Sequence, residues 1–170
     1  MSEPVLRAAE IGDAPALAAG MTEALADYPA FAPAGWTSPP EADEEAHLRV
    51  LLADPEVWAC VAEAGDRIVG QIMLVPAHRA ARPVDEPGLV HLRNLFVARE
   101  HWGGGLATAM HAAAVGAAAQ RGHTAMRLFV AIGQERARRF YAREGWADVG
   151  GPFFDPRPGL ELQEMRRPVG

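Results

Sequence analysis

Apolar positions along the chain follow two rhythms, one helical and one extended, and the switches between them mark the elements. Pro4 to Ala9 predicts a short first strand. Leu17, Met21 and Leu25 recur four apart behind Asp13, a residue suited to capping a helix, and predict a helix over about 13–27. Residues 28–40 hold four prolines and Gly35 and predict a loop. Glu41 to Leu52 reads as a second, acidic helix that Asp54-Pro55 ends. Val57 to Glu63 is a run of strand type, Gly65-Asp66 a two-residue hairpin signal, and Arg67 to Val75 the return strand. After a loop over 76–88, Leu89 to Val97 alternates, which places Leu89, His91, Arg93, Leu95 and Val97 on one face. Leu106 to Gln120 is an alanine-rich helix that Gly122 ends, and Ala125 to Ala131 reads as a buried strand. Gln134 to Glu144 is a helix with Gly145 just past its end. Trp146 to Val149 begins a strand that Gly150-Gly151 breaks, and Leu160 to Met165 is the last strand. The order β-α-α-β-β-β-α-β-α-β-β predicts one α/β domain over residues 1–170 with a partly antiparallel sheet.

Composition removes several chemistries. All 16 basic residues are arginine. A P-loop would lack its phosphate-contacting lysine, and Schiff-base chemistry, PLP included, would lack its amine. The single cysteine, Cys60, sits in an apolar run and reads as a small core residue. His78, His101, His111 and His123 stand at no metal-ligand spacing with carboxylates or with Cys60, so no metal is expected. The N-terminus has neither the basic nor the apolar region of a signal peptide, and the alanine run over 112–119 is too short to span a bilayer. A cytoplasmic location with no membrane partner is the expectation.

The net charge of −6 is divided unevenly: residues 1–66 carry 13 acids and 2 arginines, residues 67–170 carry 9 acids and 14 arginines. A solvated surface of uneven charge accounts for this. So does a polyanionic ligand near the C-terminal half with an amine near the N-terminal half. The overall acidity argues against nucleic acid as the main partner.

The most informative segment is Trp102-Gly103-Gly104-Gly105-Leu106-Ala107-Thr108, where a strand ends, three glycines follow and a helix begins. Glycines let the backbone approach a ligand, and the free N–H groups of a helix's first turn favour negative charge. A flexible connection and a phosphate or diphosphate site both fit that pattern. A dinucleotide fingerprint starting at Gly103 fails, because position 108 is Thr108 and no acid stands ~20 residues on.

With this segment the chain resembles the GNAT family of N-acyltransferases. Gly105-Leu106-Ala107 is similar to the second half of that family's Arg/Gln-x-x-Gly-x-Gly/Ala loop, while Trp102 stands in place of the Arg or Gln. Downstream, Gln134-Glu135-Arg136-Ala137-Arg138-Arg139-Phe140-Tyr141-Ala142-Arg143-Glu144-Gly145-Trp146 is similar to the family's Asn-x-x-Ala-x-x-Leu/Phe-Tyr-x-x-x-Gly-Phe, with Gln134 where Asn is usual. The match is clear over 57–146. The resemblance implies a GNAT-type acyl-CoA N-acyltransferase fold: a central mixed, largely antiparallel sheet flanked by about four helices. It also implies acetyl-CoA as co-substrate, its diphosphate on the amides of 103–108 and its arm along Phe96 and Val97 and beside Gln134.

Tyr141 matches the tyrosine that in the family protonates the departing thiolate, and a phenol suits that role because it stays protonated at neutral pH. Without the motif it reads as a core tyrosine. His91 lies six residues before Val97, where histone-type members carry a glutamate base. An imidazole there could accept an amine proton, or it could be structural. Arg136, Arg139 and Arg143 share one helical face, which is either solvated or, through Arg139 and its neighbours, in contact with the cofactor's 3′-phosphate. Arg93 could pair with a substrate carboxylate. The acidic Asp43-Glu44-Glu45, if beside the cleft, would suit a cationic amine. The implied activity is acetyl transfer to a primary amine of a small molecule or peptide by direct attack. The alternative is a non-catalytic acyl-CoA-binding regulatory module. Monomer and homodimer are both compatible with the sequence.

Overall fold

The computed structural model describes residues 2–170. Its strands are β1 (Val5–Ala8), β2 (Trp58–Ala64), β3 (Arg67–Pro76), β4 (Leu89–Val97), β5 (Ala125–Ala131), β6 (Ala147–Asp155) and β7 (Leu160–Pro168). Its helices are α1 (Ala14–Ala24), α2 (Glu41–Ala53), α3 (Leu106–Gln120) and α4 (Glu135–Arg143). The strands form one sheet in the order β1-β2-β3-β4-β5-β7-β6. Every neighbouring pair is antiparallel except β4 and β5. The expected α/β class and largely antiparallel sheet with four helices are what the chain adopts.

Alternation along the strands sorts side chains onto two faces. Cys60, Ala62, Ile72 and Leu74 pack with Met110, Ala114 and Ala118 of α3 and Tyr141 of α4. Val61, Met73 and Val75 pack on the other face with Leu17 and Ala18 of α1 and Leu48 of α2. Beyond the reach of α1 and α2, Ala131, Leu160 and Leu162 are covered by Tyr28, Phe31 and Trp36, which lie between the two helices in sequence.

Two local expectations need correction. Asp13 occupies the position before α1, yet its carboxylate does not cap the helix. It accepts the Glu10 N–H and the Arg7 guanidinium instead. Gly150 and Gly151 do not break a strand either: β6 is continuous, and the glycines fall where its register against β7 shifts, between Val149 and Phe153.

The decisive irregularity is in β4. Gln71 pairs with Phe96 and Met73 with Arg93, so Asn94 and Leu95 together face Ile72. This is a β-bulge, and Asn94 takes the left-handed φ of 60° that asparagine tolerates better than most side chains. The extra residue inverts the alternation. His91 and Arg93 fall on the α1–α2 face with their partners Val75 and Met73; Phe96, opposite Gln71, meets Gly20 of α1 and also packs against the α3 core, which holds Val97. The single face expected for Leu89, His91, Arg93, Leu95 and Val97 therefore ends at Arg93. The parallel ladder to β5 holds only Leu89↔Ala125, Val90↔Met126 and His91↔Arg127. Past those pairs both strands continue unpaired, to Val97 and Ala131, and a cleft opens between them.

His111 joins α3 to the turn after α4. It is 2% exposed, and its Nε2 accepts the Trp146 indole N–H at 2.9 Å. Burial holds its pKa below the usual 6.5, so the folded chain keeps this imidazole neutral and the unfolded chain protonates it first. The stability it contributes is full above that usual value and declines as pH falls below it. Urea midpoints are expected to drop between about pH 7 and about pH 5, and His111→Gln to flatten part of that slope. An unaltered slope in the variant would contradict the assignment.

Candidate active site

The glycine loop stands at the open end of the cleft, between β4 and α3. Gly103 and Gly105 have φ of 80° and 83°, a conformation that excludes most side chains, and Gly105 is the residue before α3. Gly103, Gly104 and Gly105 are exposed. Among the described residues, the amides of 103–108 find no backbone acceptor in the turn or the cap. Thus Gly103, Gly104, Gly105, Leu106, Ala107 and Thr108 present a row of free donors on the positive end of a fifteen-residue helix, an arrangement suited to a diphosphate. Trp102 donates its indole N–H to the Val97 carbonyl at 2.7 Å. One lone pair of a carbonyl expected to meet the cofactor arm is thereby occupied.

Tyr141, on α4, packs in the core shared with β2, β3 and α3. It is 8% exposed, with its ring edge-on to Phe140 and Trp146. Burial, and after it the Tyr28 phenol, raises its pKa well above the ordinary value, so it remains a proton donor throughout the neutral range. Gln134 precedes α4, and its side chain meets the Tyr28 hydroxyl. Phe31 lies on Gly133 so closely that a methyl at that position would overlap its ring. Trp36 donates its indole N–H to Pro158 O at 2.6 Å, tying this strap to the β6–β7 turn. Tyr28, Phe31 and Trp36 escaped the sequence reading; three aromatics within a proline-rich loop were the available signal.

His91 is fully buried, and its Nδ1 accepts the Arg127 Nε–H at 3.1 Å. The terminal nitrogens of Arg127 donate to Arg82 O and Ala81 O at 3.0 and 2.9 Å. Burial, then the charges of Arg127 and Arg93, holds the His91 pKa well below 6.5. A neutral imidazole whose Nδ1 is an acceptor carries its hydrogen on Nε2. It has no lone pair left for an amine, which corrects the expectation of a direct base. Arg93 is likewise not free for a substrate carboxylate. It pairs with Glu44 at 2.8 Å, and the same carboxylate oxygen lies 3.3 Å from Asn94 Nδ2. So the acidic stretch of α2 does reach the bulge, through Glu44. On α4, Arg139 pairs with Glu135 on the exposed side, while Arg136 is the arginine that meets the loop at Trp102. Burial lifts the pKa of the Cys60 thiol, which favours the protonated form in the neutral range.

The acetyltransferase (GNAT) family model matches residues 21–146, and the chain belongs to that family. It is therefore an acyltransferase. An acetyltransferase of the GNAT family from Staphylococcus aureus Mu50 superposes with a TM-score of 0.78 at 11% identity, over 99% of this chain and 100% of that one. A ribosomal-protein-alanine N-acetyltransferase from Brucella melitensis gives 0.71 at 20% identity over 96% and 99%. An acetyltransferase from Thermus thermophilus gives 0.68 at 23% over 99% and 97%. These likenesses carry the fold. No curated protein is significantly similar in sequence. No described helix is long and apolar enough to cross a membrane.

Gly104 separates the loop's ligand role from its folding role. Its φ is not left-handed, and an added Cβ would meet only the His101 carbonyl at 3.6 Å. Gly104→Ala is expected to leave the melting temperature within about a degree of wild type and to weaken coenzyme A binding by about tenfold, or ~1.4 kcal/mol. Unchanged affinity by calorimetric titration would remove the loop's amides from the binding site.

Proposed function

We propose that the chain transfers an acetyl group from acetyl-CoA to a primary amine of a small molecule or peptide, by direct attack in the cleft between β4 and β5. The observation that carries this reading is the row of amides at 103–108 without backbone acceptors, beside a sheet whose β4–β5 ladder stops after three pairs, together with a buried, protonated Tyr141 on α4. The diphosphate lies on the loop, and the pantetheine arm runs along the unpaired edge at Phe96 and Val97 as an added strand would. Backbone N–H beside the bulge polarises the thioester carbonyl, and the amine lone pair attacks its carbon. The carbon–sulfur bond then breaks, and Tyr141 gives its proton to the leaving thiolate. The proton lost by the amine passes to water and restores the phenol.

In this reading the amine arrives already neutral. His91 offers an N–H that orients the acceptor or a water. Turnover should therefore rise with pH as the acceptor amine deprotonates, and His91→Gln should preserve that rise.

Tyr141→Phe is the sharpest test. It removes one hydroxyl from a packed ring and is expected to lower kcat by about a hundredfold with little change in KM for acetyl-CoA. Thiol release measured over a panel of amines gives both values. Full turnover in the variant would take Tyr141 out of the mechanism.

A further inference from the structure

The loop position that carries Arg or Gln in the resembling motif carries no charge here, since Trp102 fills it. Cations nevertheless surround this indole. The Arg136 guanidinium, from the first turn of α4, lies 3.3 Å from the ring centroid, and that of Arg99 lies 4.9 Å away. Trp102 is itself fixed by its hydrogen bond to Val97 O at 2.7 Å, and it remains 43% exposed. The two arginines differ in one respect. Arg99 is paired with Asp27 at 2.6 Å, whereas Arg136 has no carboxylate partner among the described residues. An exposed guanidinium beside a second cation, with neither a carboxylate nor full hydration on its stacked face, is under electrostatic load that an anion would relieve. The free amides of 103–108 lie on the same loop.

We propose that Arg136, held on the face of Trp102, is the side-chain cation that contacts a phosphate group of the cofactor, with Arg99 as a weaker second. The cation comes from α4, across the mouth of the cleft, and the indole is its platform. A guanidinium flat on a ring keeps its edge N–H groups free for phosphate oxygens, and stacking fixes the fork before the ligand arrives. This inference rests on the proposed use of acetyl-CoA. It adds which side chain binds the phosphate, and explains how an uncharged loop residue serves there.

The test is calorimetric titration of coenzyme A and of 3′-dephospho-coenzyme A into wild type, Arg136→Ala, Trp102→Ala, the double variant and Arg99→Ala. Arg136→Ala should weaken coenzyme A binding about tenfold and Trp102→Ala comparably. The double variant should lose little more than either single, because the two side chains act as one unit. Arg99→Ala should cost about threefold, its charge being already offset by Asp27. If the contact is to the 3′-phosphate, the loss in Arg136→Ala disappears with the dephospho ligand; if to the diphosphate, it persists. Wild-type affinity in Arg136→Ala, or full additivity in the double variant, overturns this inference while leaving the cofactor assignment intact. A wild-type protein that binds no coenzyme A overturns both.

Discussion

One extra residue in β4 governs the rest of the site. With Asn94 and Leu95 both opposite Ile72, the strand bends away from β5 and the parallel ladder stops after three pairs. Backbone groups beyond the ladder would otherwise be satisfied by the neighbouring strand; here β5 does not reach them. The bulge also aims the side chains. It sets Phe96 against Gly20 of α1 as well as the edge of the α3 core, and sends Val97 into that core. The start of α3 is thereby anchored beside the gap, since Ala98 N donates to Val69 O at 2.8 Å and Trp102 reaches back to Val97.

The uneven charge of the two halves has a structural use. Acids of the N-terminal third pair with arginines from later elements: Asp27 with Arg99, Glu44 with Arg93, and Asp54 and Glu56 with Arg79. Exposed pairs of this kind add little stability individually. They do fix where α2 and the strap after α1 sit relative to β4 and the glycine loop. The strap then closes the remaining apolar surface, with Phe31 on Gly133 and Trp36 on the β6–β7 turn. Acidic α2 ends at one side of the cleft, and uncompensated arginine at Arg136 faces the other.

Much of this was legible in the sequence. The hairpin at Gly65, the strand over 89–97, the helix over 106–120 and the strand over 125–131 follow from local pattern and turn chemistry, and the structure keeps them nearly residue for residue. The bulge was not legible, because Leu89 to Val97 alternates well enough to read as one regular strand and the extra residue is defined only against β3. The environment of His91 was hidden for the same reason: its Nδ1 is claimed by Arg127, 36 residues away on the next strand. Gly150 and Gly151 misled in the opposite direction, since glycine in a strand marks a register shift as readily as an end. At Trp102 the residue type alone gave no sign of Arg136, whose guanidinium only the three-dimensional arrangement brings over the indole.

The account stands on main-chain donors freed by the parting of β4 from β5 and by the glycine turn. Hydrogen exchange with and without coenzyme A measures them directly. Two separate segments, 95–97 and 103–108, should slow together on binding, each by about tenfold or more, while the paired residues 89–91 exchange as before. Protection confined to other parts of the chain, with both segments exchanging freely in saturated protein, would contradict it.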